Sequence, residues 1–470
     1  MDRRQFLLHA AAAGLLPAVY GVRAAGSTVS DNCGLNPVTV AAIRRPRSTD
    51  EIRSALRETR GAVSIGGGRF SMGGQIAAPD SLHLDLRQLD QAVWIDAPGR
   101  RARVQAGMRW RDLQDLIDPR DLSVRIMQSY SNFTVGGSVS VNCHGRYVGM
   151  GPLIRSIRAL QMVGADGEVF ELSRTIEPEL FRAVVGGYGG LGVVTEVELD
   201  LADNEPIERT FADVGLEEYP RFFRERVLAD PRAVLHNADL RPPSFDRPLA
   251  LTWSRSSRPV TQPLRLIPRG LDYGLERNAI WAITELPGGS SLRGTIEKVE
   301  RARDTPVVWR NHEASLDAAS LEPRSRRVST YLLQEYFVPE PAFVDFARDL
   351  ARILRVHAVE ALNVSVRHSP ADTETLLKWA PQDVFSFVLY FKQRATQAAS
   401  EQVRGWTRKL IDASLQRGGR YYLPYRPDAT RAQFAKAYPE ARAFAALKRR
   451  IDPRGRFTNL MWDHYLRPYG

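Results

Sequence analysis

Residues 63–75 read VSIGGGRFSMGGQ. A β-type run ends in three glycines, an arginine and an aromatic residue, and two more glycines follow. Five of the ten positions from Gly66 to Gln75 carry no side chain. Either the chain turns tightly here or something lies against its amides. Glycine serves both ends, because it accepts positive φ and leaves the backbone N–H uncovered.

Three further stations lie along the chain. SNFTVGGSVSVNCHG, residues 131–145, mixes glycine with small hydroxyl residues. GGYGGLGVVTEVEL, residues 186–199, is a glycine-rich turn that enters a β-branched strand. FTNLMWDHY, residues 457–465, lies close to the end of the chain. Between them the pattern alternates. VTVAAIRRP reads as a strand, and Ser48 caps a helix through STDEIRSALRETR with acids in its first turn. A second helix begins at Trp110, and IRALQMVGADGEVFELS folds back at Asp166-Gly167. The span 33–203 is therefore an α+β unit. From 204 to 415 glycine thins out. AFVDFARDLARILRVHA and EQVRGWTRKLIDASLQ carry apolar residues at helical spacing, while YLLQEYFVP, ALNVSVRHS and FSFVLYFKQ read as strands of a second, sheet-based domain. Residues 416–470 form a C-terminal segment with a helix of its own.

The 470 residues exceed a typical single core, and 43% apolar with 25% charged is an ordinary globular composition. Sixty-five basic against fifty-four acidic residues give +11. That balance suits an anionic ligand or peripheral contact with an anionic membrane surface. No basic run or nucleic-acid module accompanies it, so DNA and RNA are not expected partners. Residues 1–25 pair Arg3 and Arg4 with a mildly apolar stretch and small residues at Ala24 and Ala25. This resembles a twin-arginine-type signal, an address that predicts a periplasmic or secreted protein exported already folded; the alternative is an ordinary Sec signal or an uncleaved anchor. Cys33 and Cys143 are the only cysteines, and with scattered histidines they make no metal-binding spacing.

In this order, the four stations resemble the PCMH-type FAD-binding domain of the vanillyl-alcohol oxidase superfamily, over residues 33–203. The glycine loop does not open a helix followed by an acidic residue, so this is not the Rossmann arrangement. The resemblance implies a two-domain α+β fold, with FAD on the first domain and a substrate cap in the second. It implies a diphosphate on the amides of Gly66, Gly67, Gly68, Arg69 and Phe70, with Ser71, Gly73, Gly74 and Gln75 beside it. It further implies contacts from Thr134, Gly136, Gly137, Ser138, Ser140, Cys143, His144 and Gly145, from Gly192, Val193 and Val194, and from Asn459. Many members bond the flavin covalently through a histidine in the first loop. Here Phe70 takes that place, which predicts non-covalent FAD unless His144 or Cys143 substitutes for the missing histidine. Losing that bond lowers the flavin potential, which admits an acceptor other than oxygen; the acceptor is unknown, with oxygen, a quinone and a cytochrome all open.

The second half resembles the sugar-oxidising branch: aldonolactone oxidases, alditol oxidases and decaprenylphosphoryl-ribose oxidases. LLQEYFVP, GRYYLPYRPDAT and KRRIDPRGRF fall in the order found in the last group, although Tyr425 stands where that group has a substrate-contacting lysine. The implied activity is oxidation of a CH–OH group in a polyhydroxylated small molecule by hydride transfer to flavin N5. Strand alternation puts Asn363, Ser365 and Arg367 on one face, and Ser386, Tyr390 and Lys392 on another. In LQEYFVP the face toward substrate is either Gln334 with Tyr336 or Glu335, and periodicity does not choose. Candidate bases are Glu335, Tyr336 and Tyr425, with Arg367 or Lys392 to hold an alkoxide. The alternatives are a same-fold dehydrogenase of amines, phenols or cytokinins, and a non-catalytic electron-transfer flavoprotein.

Overall fold

A computed structural model describes residues 26–285, 305–323, 325–466 and 469. The leader expected over 1–25 lies outside the described residues. Among the described residues, no helix is long and apolar enough to cross a membrane.

The fold is α+β. The N-terminal half holds a three-stranded parallel sheet, ordered Ala42–Arg44, Leu82–Asp85, Val63–Gly66. Helix Thr49–Glu58 connects two of these strands, and the Ser48 side chain caps it by accepting from the Glu51 N–H. A larger antiparallel sheet follows, in which Val193–Asp203 pairs with both Ile157–Val163 and Arg101–Gln105. Ile157–Val163 and Val169–Ser173 form the expected hairpin, with Gly167 at φ +84° in its turn. The alternating burial along Val193–Asp203 follows from its β-branched and apolar residues facing the core every second position.

The chain leaves this sheet after Asp203. The next strand, Pro206–Asp213, already belongs to an eight-stranded antiparallel sheet. Its centre is built from Ala233–Leu240, Ala361–Ser369, Val384–Arg394 and Ser329–Pro339 in that spatial order. Helices Phe343–Val356 and Gln397–Gln416 carry apolar stripes, and both make contact with Ser329–Pro339. The C-terminal segment returns to the N-terminal half: Val63 N–H donates to Arg456 O, and Thr458 N–H donates to Val63 O. The strand carrying the glycine loop is thereby pinned from a point almost four hundred residues away (393 from Val63 to Arg456).

Candidate functional site

A cavity of about 480 Å³ lies between the glycine-rich stations and the open face of the eight-stranded sheet. Gly67, Gly68, Arg69, Phe70, Ser71 and Gln75 line one part of it. Thr134, Gly136, Gly137, Ser140, Cys143 and His144 line the next, and Gly192 and Val194 complete the N-terminal wall. The loops fit closely against each other. A Cβ on Gly67 would stand 2.3 Å from Thr134 Oγ1, and one on Gly136 would stand 2.7 Å from Ala106 Cβ. Thr134 caps the short helix Val135–Ser140, accepting from Gly137 N–H.

Several residues expected at the cofactor do other work. A Cβ on Gly73 would meet Tyr425 O at 2.5 Å, and one on Gly74 would meet Leu460 Cδ1 at 2.5 Å, so these glycines admit the returning C-terminal segment. Gln75 Nε2 ties the same segment down through Leu423 O and Tyr425 O. Gly66 lies over His83, and Gly145 over Met127 O. Ser138 Oγ donates to Gln128 and accepts from Trp110. Val193 belongs to the small core beneath the parallel sheet. Asn459 caps Leu460–Tyr465 and donates to Tyr188 O, which steadies the glycine turn without lining the cavity.

The cap floor follows from strand register. Asp239, Ser365, Val388 and Glu335 lie opposite one another across four strands and form one row. Asn363 and Tyr390 lie in the next row, and Arg367 projects from the strand of Ser365, all lining the cavity. On Ser329–Pro339 it is Tyr331, Leu333 and Glu335 that face inward. Gln334 and Tyr336 point to the other face, where Tyr336 packs on Phe346 of helix Phe343–Val356. Lys392 lies beyond the cavity, donating to Thr284 O at 2.7 Å and paired with Glu360 at 2.8 Å. Tyr390 points inward and its hydroxyl donates to Leu321 O.

Glu335 is the centre of the arrangement. Its Oε1 lies 2.6 Å from His144 Nε2, with the two side chains 2% and 4% exposed. Its Oε2 accepts from the Tyr425 hydroxyl at 3.4 Å. The His144 ring is fixed against Trp379, Phe337 and Tyr422, at centroid distances of 4.8, 5.8 and 5.9 Å. Its neighbour Asn142 sits at φ +46° and is held by Asp372 and by the Ile154 N–H, which turns His144 into the cavity. Burial, and then the Glu335 charge, push the Tyr425 phenol well above its ordinary pKa. Arg367 has no hydrogen bond or ion pair among the described residues, and its Nε is buried without a partner. Burial lowers its pKa while the Glu335 carboxylate acts the other way.

Sequence reasoning missed Tyr130, Arg146, Asn237 and Asp239 in the cavity wall. Arg146 pairs with Glu313 at 2.8 Å. Asn237 and Asp239 did carry a signal, two polar residues at strand spacing in AVLHNADL, but nothing marked their strand as a neighbour of Ala361–Ser369.

The cavity fits FAD. Bare glycine segments line its N-terminal wall, and Ser129 Oγ and Arg69 Nε are buried there without hydrogen-bond partners. A cradle of glycine amides with an arginine, continuing to a polar sheet, defines a site for an anionic dinucleotide and a second molecule beyond it. Residues 40–173 match the family described as FAD binding domain. Alditol oxidase from Streptomyces sp. (strain IKD472 / FERM P-14339) is 25% identical, over 92% of this chain and 97% of that protein. L-gulonolactone oxidase from Bos taurus is 23% identical, over 88% and 92%. The mitochondrial L-galactono-1,4-lactone dehydrogenase of Arabidopsis thaliana is 29% identical, over 43% of this chain and 34% of that protein. The chain is an FAD-dependent oxidoreductase that carries an FAD binding domain and is similar over most of its length to alditol and gulonolactone oxidases.

Proposed function

We propose that the protein is an exported FAD-dependent oxidoreductase that oxidises a CH–OH group of a sugar, sugar lactone or polyol. The observation that carries this reading is the buried Glu335 carboxylate, held by His144 and Tyr425 in a cavity that also presents the unpartnered Arg367. The Asp239, Ser365 and Asn363 side chains beside them offer alternating acceptors and donors, the chemistry that recognises a hydroxyl-rich molecule. The named activities of the alditol and lactone relatives support it.

When bound, FAD supplies the hydride acceptor at its N5 position. Glu335 takes the hydroxyl proton, since a carboxylate can accept it whereas the buried Tyr425 phenol already holds its own proton. Tyr336 is removed from the choice by facing the helices. His144 orients the carboxylate through its Nε2–H. Arg367 remains cationic in spite of burial and stabilises the negative charge that develops as the proton leaves. Phe70, tilted against Phe133 with ring centroids 4.5 Å apart, offers no nucleophile to a flavin, so FAD is held non-covalently. The Arg3-Arg4 leader supports export to the periplasm or beyond. The acceptor that reoxidises the protein is oxygen, a quinone or a cytochrome.

The test is anaerobic addition of alditols and aldonolactones to the holoprotein while the visible flavin absorbance is followed. Bleaching by members of either class is expected. Bleaching by amines or phenols alone would assign another chemistry to the same fold, and indifference to all of them would leave an electron-carrying flavoprotein.

A further inference from the structure

The cavity holds a second carboxylate, well away from Glu335. On Ala233–Leu240, Asn237 and Asp239 line the cavity, while His236 turns to the opposite face and bonds Tyr219 and Thr252. Asp239 Oδ1 accepts from Asn237 Nδ2 at 3.3 Å and from Asn363 Nδ2 at 3.1 Å. Both amides belong to cavity-lining side chains, so the carboxylate is aimed by the wall in which it stands. A carboxylate offers about four acceptor sites, of which these amides take two. Tyr130 belongs to the same end. Burial raises its pKa, Arg146 and Arg367 lower it, and Asp239 and Glu313 raise it, so this cavity-lining phenol sits among those charges as a proton donor.

Distance sets what this end can hold. Asp239, Ser365, Val388 and Glu335 form one row across four strands. Neighbouring strands lie about 4.8 Å apart, so three spacings separate Asp239 from Glu335 by about 14 Å. Side chains stand roughly perpendicular to a sheet, so that spacing carries over to the two carboxylates. Allowing an O–H···O bond of about 2.7 Å at each leaves about 9 Å between the substrate oxygens. That is the reach from first to last hydroxyl of an extended six-carbon polyol, and a three-carbon polyol is too short to touch both carboxylates. The middle of the row suits such a chain, with a hydroxyl from Ser365 and an apolar contact from Val388.

We propose that Asp239, aimed by Asn237 and Asn363, is a specificity residue that accepts from the terminal hydroxyls of an open-chain polyol oxidised at Glu335, so that the cavity selects six-carbon chains over shorter ones. This role rests on the proposed oxidation of a CH–OH group at Glu335 and assigns what holds the other end of the substrate.

The test is anaerobic rapid mixing of the holoprotein with alditols of three, four, five and six carbons, which separates Kd from the limiting rate of flavin reduction. Wild-type affinity should rise with chain length, six carbons binding about tenfold or more tighter than three. Asp239→Asn keeps the shape and loses the charge, so it should weaken the six-carbon alditol about tenfold through Kd, and the three-carbon one far less. Asp239→Glu, one methylene longer, should move the best fit toward five carbons. An equal loss for both lengths in Asp239→Asn, or a six-carbon Kd within about twofold of wild type, overturns the role. Should Asp239→Asn fail to fold by circular dichroism, the wild type decides: affinity that is flat from three to six carbons overturns it, as does reduction by lactones alone. A wild-type flavin that no alditol and no lactone reduces sinks the oxidation reading, and the role of Asp239 with it.

Discussion

Replacing Glu335 by glutamine tests the proposed chemistry with little disturbance of shape. The amide carbonyl can still accept from His144 Nε2–H at the present 2.6 Å, and the amide N–H can donate to the Tyr425 hydroxyl, which becomes an acceptor. Only the proton-accepting charge is lost. A positioned general base contributes about 10²–10⁴ in rate, roughly 3–5 kcal/mol of barrier. Anaerobic rapid mixing should therefore show flavin reduction by substrate slowed at least about a hundredfold, with substrate affinity changed far less. Glu335→Ala is the instructive contrast. It strips the hydrogen-bond partner from His144, and breaking a buried pair costs about 3–5 kcal/mol of stability. Its loss of activity would thus mix unfolding with chemistry, whereas the glutamine variant should keep its melting temperature. Flavin reduction in Glu335→Gln within about threefold of wild type would refute the assignment of the base.

Three other outcomes follow from the same geometry. Acid precipitation of the holoprotein should leave the yellow colour in the supernatant, because Phe70 cannot bond to flavin; a yellow pellet would contradict this. Gly67→Ala places a methyl 2.3 Å from Thr134 Oγ1 and displaces the cap of helix Val135–Ser140. Overpacking of this kind costs about 1–3 kcal/mol, and the flavin-to-protein ratio should fall; full occupancy with an unchanged melting temperature would contradict it. His83, His236 and His368 are each depressed chiefly by burial, to about 4, 3 and 4. The unfolded chain, with ordinary histidines near 6.5, binds protons that the native state refuses, so stability is lost as pH falls below about 6.5. The melting temperature should drop between pH 6.5 and 5, before carboxylates titrate, and a flat profile over that window would show that these rings are not buried neutral in solution.

The N-terminal half was legible because each of its devices is local. A strand, a run of glycines and a hairpin at Asp166-Gly167 announce themselves within a dozen residues, and the order of stations identifies the fold. Even there, the sequence could not separate glycines that face a ligand from glycines that face chain. Gly67 and Gly73 look alike, yet one lines the cavity and the other makes room for Tyr425 O. That distinction depends on where residues 423–460 return, which no local pattern encodes. The cap gives the same lesson in sharper form. Alternation supplies parity: it says that Glu335 opposes Gln334 and Tyr336, but it does not say which side is inside. The side is fixed by helices Phe343–Val356 and Gln397–Gln416, which need an apolar sheet face and take the one that carries Tyr336. Once that face is covered, Glu335 must turn to the cavity, where burial without a partner would be costly. His144, nearly two hundred residues earlier (191 in sequence separation), meets that need. The pairing that the proposed chemistry depends on is thus a consequence of helix packing on the far side of the sheet, and it becomes visible only when both halves of the chain are folded together.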